Sequence, residues 1–144
     1  MESNYQVKYG FNNMDFDKVT ALLSTAYWSE GIKIEEIKQG ASNSALVVGV
    51  FLNNEQIGYA RTVSDKTRFA YIMDVFVEEK HRKKGIGKLL VNSLLEHKDL
   101  KDVYRWVLIT KDAHELYKKV GFKPVNNPEE WMEINKGRPN TQNS

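Results

Sequence analysis

The run Ala70–Val77 (A-Y-I-M-D-V-F-V), the stretch from about Gly85 to His97 and the run Val103–Thr110 (V-Y-R-W-V-L-I-T) follow one another closely. The outer two read as strands. The middle one repeats apolar residues at helical spacing, through Ile86, Leu89, Leu90, Val91, Leu94 and Leu95, and is expected to bury them. A strand, a crossover helix and a second strand of this length imply parallel pairing of the two strands. The segments before them imply the opposite. Ala45–Leu52, Gln56–Val63 and Arg68–Val77 are apolar, β-branched-rich runs joined by Asn53-Asn54-Glu55 and by Ser64–Thr67, which is an antiparallel meander. The expected fold is therefore α/β, with a mixed, mostly antiparallel central sheet flanked by helices.

The remaining segments fit around that sheet. Tyr5–Tyr9 alternates and suits a first strand. From Asp15 to Trp28, apolar residues at Phe16, Val19, Leu22, Leu23, Ala26 and Tyr27 form one face of a helix, interrupted at Gly31. Ile32–Lys38 suits a short second helix, followed by a loop over Gly40–Ser44. Asp112-Ala113-His114-Glu115 resembles a capping box, with Asp112 as the cap. It opens a helix that carries Ala113, Leu116, Tyr117 and Val120 and stops at Gly121. Trp131–Ile134 is expected to form a last strand. Residues 1–135 read as one domain, large enough for a real core, and residues 136–144 as a polar tail that frays.

Composition removes several chemistries. The chain has no cysteine, so disulfides, thiolate catalysis and a cysteine acyl-enzyme are excluded. Its three histidines never fall in H-x-x-x-H spacing, and no metal site is expected. A net charge of +2 does not call for a nucleic-acid partner. Lys80–Lys88 is basic enough to raise one, but Glu78, Glu79 and Glu96 interrupt any broad basic surface. No apolar stretch is long enough to span a bilayer, and no basic-then-apolar leader opens the chain. The expectation is a cytoplasmic protein with neither nucleic-acid nor membrane partner.

Between the strand at Ala70–Val77 and the helix after it, residues His81–Leu90 read H-R-K-K-G-I-G-K-L-L. A helix start presents unpaired N–H groups and a partial positive charge. Gly85 and Gly87 allow a ligand to approach that backbone closely. Arg82, Lys83, Lys84 and Lys88 add formal positive charge. The combination suits a phosphate or pyrophosphate. It is not a dinucleotide fingerprint, which would need glycine at position 90, nor a Walker loop. A solvated basic turn is the alternative.

Arg82-Lys83-Lys84-Gly85-Ile86-Gly87 resembles the Q/R-x-x-G-x-G/A signature of the GNAT superfamily of N-acetyltransferases. The preceding D-V-F-V is similar to that family's splayed fourth strand. Leu116-Tyr117-Lys118-Lys119-Val120-Gly121-Phe122, with Ala113 ahead of it, is similar to the family's A-x-x-L-Y-x-x-x-G-F hallmark. The two motifs stand in the right order and on the right elements, over roughly residues 70–122.

The resemblance implies acetyl-CoA, or a related acyl-CoA, as donor. It implies that backbone N–H groups from Lys83 to Lys88, including Ile86, hold the pyrophosphate, and that Val75, Phe76 and Val77 pair with the pantetheine arm as with an added strand. Many members carry asparagine three residues before the motif alanine. This chain has Thr110 there, whose hydroxyl is the corresponding contact to the arm. The implied reaction is direct transfer to a primary amine of a small molecule or peptide, and a homodimer is compatible with it. A module that binds acyl-CoA without catalysis is the alternative.

Tyr117 is then the expected general acid, protonating the departing thiolate. Its alternative is a core aromatic. Asp74, a carboxylate inside an apolar run, is the candidate base or acceptor anchor; its alternative is a structural carboxylate paired with Arg61, Arg68 or Arg105. His114, in the first turn of its helix, is expected on the surface. Tyr27 and Trp28 are expected to wall the acceptor site, with Trp106 as a further wall.

Overall fold

In a computed structural model of the protein, which describes residues 4–139, a five-stranded sheet runs in the order β1-β2-β3-β4-β5. The strands are β1 (Tyr5–Tyr9), β2 (Leu46–Leu52), β3 (Glu55–Ser64), β4 (Ala70–Val77) and β5 (Trp106–Val107). Neighbours pair antiparallel except β4 and β5, which pair parallel. The helices are α1 (Phe16–Leu23), α2 (Ile34–Ser42), α3 (Ile86–Leu95) and α4 (His114–Lys119). The mixed α/β sheet flanked by helices is the one expected.

Both faces of the sheet are covered, which explains why β2 is apolar along its whole length. On one face, Val48, Val50, Ile57, Ala60 and Ile72 pack under Ile86, Leu90, Val91 and Leu94 of α3. On the other, Val47, Phe51 and Tyr59 pack under Phe16, Val19 and Leu23 of α1 and Ile37 and Ala41 of α2. Leu89 and Leu95, expected in the core, fall at the edge of the α3 stripe: Leu89 is exposed and Leu95 half-buried.

The β2–β3 connection is tighter than the sequence suggests. Leu52 pairs with Glu55, so the loop is Asn53-Asn54 alone. Both have positive φ, 52° and 67°, as a type I′ hairpin requires and as asparagine tolerates.

The helices also differ at their ends. α1 stops at Leu23 instead of running to Trp28. The hydroxyls of Ser24, Thr25 and Ser29 donate to the carbonyls of Ala21, Leu22 and Leu23 at 3.0, 2.7 and 2.7 Å. These bonds satisfy the helix's last carbonyls and release the chain. α2 runs on through the expected loop to Ser42. Gly40 stays helical there because the Arg61 guanidinium lies against it, 3.2 Å from where a Cβ would stand.

At the C-terminal side, the strand expected over Val103–Thr110 is confined to Trp106–Val107. Trp131–Ile134 forms no strand; Met132 and Ile134 are almost fully exposed. Residues 136–139 are irregular, and the rest of the expected tail lies outside the described residues.

Replacing Leu94 by Ala should cost about 2–5 kcal/mol, the range for truncating a buried leucine without collapse of the cavity. Leu89→Ala should cost only a fraction of that. Urea unfolding of the two variants distinguishes the observed α3 stripe from the wider one read from the sequence.

Candidate active site

The site begins with a register change in β4. Tyr59 faces Phe76 and Arg61 faces Met73, so Asp74 and Val75 together oppose Ala60. This is a β-bulge, and Asp74 carries its left-handed residue, with φ 59°. A non-glycine residue in this region needs external support. Arg61 Nε donates to Asp74 Oδ2 at 2.7 Å, and Trp28 Nε1 donates to Oδ1 at 3.1 Å. Both carboxylate oxygens are engaged. Arg61 also donates to the Gly40 carbonyl and to Ser44 Oγ of the α2 end. The paired-carboxylate alternative for Asp74 therefore holds, with Arg61 as the partner. Arg68 instead reaches the Tyr104 hydroxyl, and Arg105 lies over Trp131.

On the other side of β4, pairing with β5 covers only Ala70↔Trp106 and Tyr71↔Val107. Beyond that point the two chains part. Residues 72–77 and 108–113 become opposite walls of an open cleft of about 1560 Å³. Among the described residues, no strand pairs with this edge of β4 beyond Tyr71, while β3 pairs with the opposite edge, so the open edge can receive an extended ligand.

One end of the cleft is the start of α3. Gly85 is the cap residue, with φ 83°, and Lys83 before it also has positive φ, 65°. Left-handed residues this close together curl the backbone into the kind of concavity that binds anions. No side chain caps α3, whereas the Asp15 carboxylate accepts from the Lys18 N–H at the start of α1. The first N–H groups of α3 thus lack internal partners. Arg82, Lys83 and Lys88 line this end, and the Arg82 guanidinium lies 5.0 Å from the Phe76 ring centroid. Gly87 has a packing role as well: a Cβ there would stand 3.2 Å from Leu116, so its absence lets α3 approach α4.

The other end carries aromatics. Because α1 ends early, Tyr27 and Trp28 swing onto the cleft wall, where Trp28 meets Tyr27 and Phe76 edge-on at 5.0 and 6.1 Å. Between the two ends stands Tyr117, on α4, packed edge-on against Phe122 at 5.9 Å. It is buried to 9% exposure and yet lines the cleft. Burial pushes its phenol up to about 12, with smaller contributions from Tyr27 and Asp112.

Asp112 is not the cap of α4. The helix starts one residue later than expected and has Ala113 at the cap position, with no side-chain cap. Thr110 Oγ1 accepts from the Ala113 N–H at 3.0 Å, which leaves its O–H free to donate.

The cleft brings together Tyr117, Asp74, Val75, Phe76, Val77, Arg82, Lys83, Gly85, Ile86, Gly87, Lys88, Thr110, Tyr27 and Trp28. Trp106 and Lys84 lie outside it. Trp106 belongs to a separate pocket of about 480 Å³ with Tyr104 and Trp131, because it sits in the paired part of β5, before the strands part. It is corrected from acceptor wall to a half-buried residue packed on the core. The structure adds Lys111 and Asn135 to the cleft lining. Asn135 had no local signal, since it reaches the cleft only through the irregular course of the C-terminal segment.

A helix N-terminus, an open strand edge and a buried phenol meet in one cleft, on a fold shared with acyltransferases. The sequence model described as the acetyltransferase (GNAT) family matches residues 16–122, and the chain belongs to that family. A curated relative is the uncharacterized N-acetyltransferase ycf52 of Pyropia yezoensis, 24% identical over 115 residues. That match covers 76% of this chain and 66% of the relative, just under two thirds of its length. Among solved structures, xcc2953 of Xanthomonas campestris pv. campestris, described as belonging to the GNAT family, is 32% identical, with a TM-score of 0.87 over 94% of this chain and 95% of that one. An acetyltransferase of Clostridium acetobutylicum, solved with acetyl-CoA, is 20% identical and shares the fold, with a TM-score of 0.66 over 91% of this chain and 96% of that one.

The raised phenol has a direct consequence. In an alkaline titration followed by phenolate absorbance, the difference between the protein and its Tyr117→Phe variant should appear near pH 12 and not near the ordinary value of about 10. The sign follows from burial favouring the neutral form. Whatever stability this adds is present below pH 10 and is lost as pH rises through the folded-state value.

Proposed function

We propose that the protein is an N-acetyltransferase that moves the acetyl group of acetyl-CoA directly to a primary amine of a small molecule or peptide, in a ternary complex. The observation that carries this reading is the parting of β4 and β5 after Tyr71 and Val107, which leaves one strand edge open between an uncapped helix start and Tyr117.

Each part of the donor has a matching feature. The diphosphate suits the N–H groups of Ile86, Gly87 and Lys88, with Arg82, Lys83 and Lys88 adding charge. Lys84 contributes to the field from outside the cleft. The amides of the pantetheine arm suit the edge of Val75, Phe76 and Val77 and the free Thr110 hydroxyl. A backbone N–H of β4 is the donor for the oxyanion of the tetrahedral intermediate.

Tyr117 supplies the proton to the departing sulfur. Its raised value keeps it protonated across the neutral range. A thiolate forming in the same desolvated place is raised too, which narrows the gap between the two groups. Asp74, with both oxygens held, serves the acceptor end by fixing Trp28. The incoming amine therefore loses its proton to water in the open cleft. This reading retains residues 1–135 as one domain, takes the cytoplasm as location, and admits a homodimer.

Tyr117→Phe should lower kcat by about 10²–10⁴-fold, the usual contribution of a positioned acid, and leave the affinity for acetyl-CoA nearly unchanged. Lys83→Ala with Lys88→Ala should do the reverse, weakening acetyl-CoA binding while kcat at saturation changes little. Calorimetry with acetyl-CoA and a thiol-release assay over a panel of primary amines measure both. Binding without turnover on any amine would favour a sensing module; no binding at millimolar acetyl-CoA would overturn the reading.

A further inference from the structure

Lys111 stands on the cleft wall one residue after Thr110, and its Nζ lies 4.9 Å from the centroid of the Tyr27 ring. An ammonium group of the chain itself thus occupies the aromatic face that the proposed acceptor would use. Tyr27 in turn adds to the upward push on the Tyr117 phenol. The cleft also contains Lys83, Lys88 and Lys119. Lys83 and Lys88 belong to the α3 end. Lys111 is the lysine held against the acceptor wall, on an exposed side chain long enough to move.

Resting on the acetyl-transfer reading, we propose that Lys111 is a self-acetylation site, modified within the same molecule when acetyl-CoA is bound and no amine is present. The Lys111 amine loses a proton to water and attacks the thioester carbonyl. A bond forms between Nζ and the acetyl carbon, and the carbon–sulfur bond breaks. The Tyr117 proton passes to the sulfur and is replaced from water. The products are Nζ-acetyl-Lys111 and the free thiol of CoA, and no oxidant or reductant is needed. Holding the nucleophile in the cleft makes the step unimolecular, so it outruns acetylation of surface lysines by solution acetyl-CoA. Once acetylated, Lys111 has no charge to hold it over Tyr27, and the aromatic face becomes free.

The test incubates the purified full chain with acetyl-CoA alone and follows thiol release, intact mass and the acetylated peptide. The expected result is one acetyl group on Lys111, gained at a rate independent of protein concentration, rising with pH and at least tenfold slower in Tyr117→Phe. Lys111→Arg should abolish that increment. Two results would overturn the inference and leave the acetyl-transfer reading intact. One is an unmodified Lys111 in protein that acetylates added amines. The other is label spread over surface lysines at a rate Tyr117→Phe does not change. Failure of acetyl-CoA to bind in calorimetry would overturn both.

Discussion

The site depends on how one carboxylate is held. Asp74 sits in the left-handed region at the β4 bulge, a conformation that costs about 1–2 kcal/mol for a residue with a Cβ. Arg61 at 2.7 Å and Trp28 at 3.1 Å engage both its oxygens. Through Arg61 the same group is tied to Gly40 and Ser44 at the end of α2, and through Trp28 to the loop after α1. A bulge bends its strand and increases local twist. That bend comes three residues after the last pairing with β5, so the two parallel strands keep apart where regular pairing would have closed the sheet. The cleft is the space this leaves. A partly buried ion pair is weak evidence of stability. Here its evident effect is to fix a backbone shape.

Cations and aromatic rings line the same cleft, with Arg82 over Phe76 and Lys111 over Tyr27. At α3 the protein leaves a helix start uncapped and surrounds it with cations, though at α1 it caps a comparable start with Asp15. Two helices of similar length in one domain thus treat the same unsatisfied N–H groups in opposite ways. α2 and α4 also start without a side-chain cap, so what sets the α3 start apart is its place in the cleft beside Arg82, Lys83 and Lys88, a setting that suits an anion. At the far end, Tyr27, Trp28 and Phe76 meet edge to face and present an apolar, electron-rich wall. In the acetyl-transfer reading, the diphosphate takes the α3 start and the acetyl group lies toward Tyr117.

Much of this was legible because it is local. Strand periodicity fixed the meander, and the order of segments fixed the one parallel pair. The glycine turn marked the start of α3 through composition alone. What was not legible depended on contacts between distant segments. The end of α1 at Leu23 turns on three hydroxyls that bond back to carbonyls, and apolar spacing continues past it without a break. Gly40 reads as a loop residue until Arg61, twenty-one positions away, is seen lying against it. Val103–Thr110 has the pattern of a full strand, but β4 bends away after two pairs. Trp106 was misplaced for that reason: the acceptor side of β5 begins only where pairing ends. Gly87 was read as ligand clearance, and the structure adds the approach of Leu116.

The position of Asp74 also constrains the chemistry. The Asp74 carboxylate is bound at 2.7 Å to a guanidinium, and moving it would strain the bulge at its own position. The carboxylate that stood out in the sequence thus has both oxygens engaged within the protein. Tyr117 is in the opposite situation. Its backbone is fixed within α4 and its ring is packed against Phe122, while its side chain lines the cleft. An acid can be built from a residue whose packing is complete without its proton. In the proposed reading, the chemical group stands on a helix and the Asp74 carboxylate is part of the scaffold. On that reading, rate comes chiefly from orientation along the strand edge, and water in the open cleft takes the amine's proton.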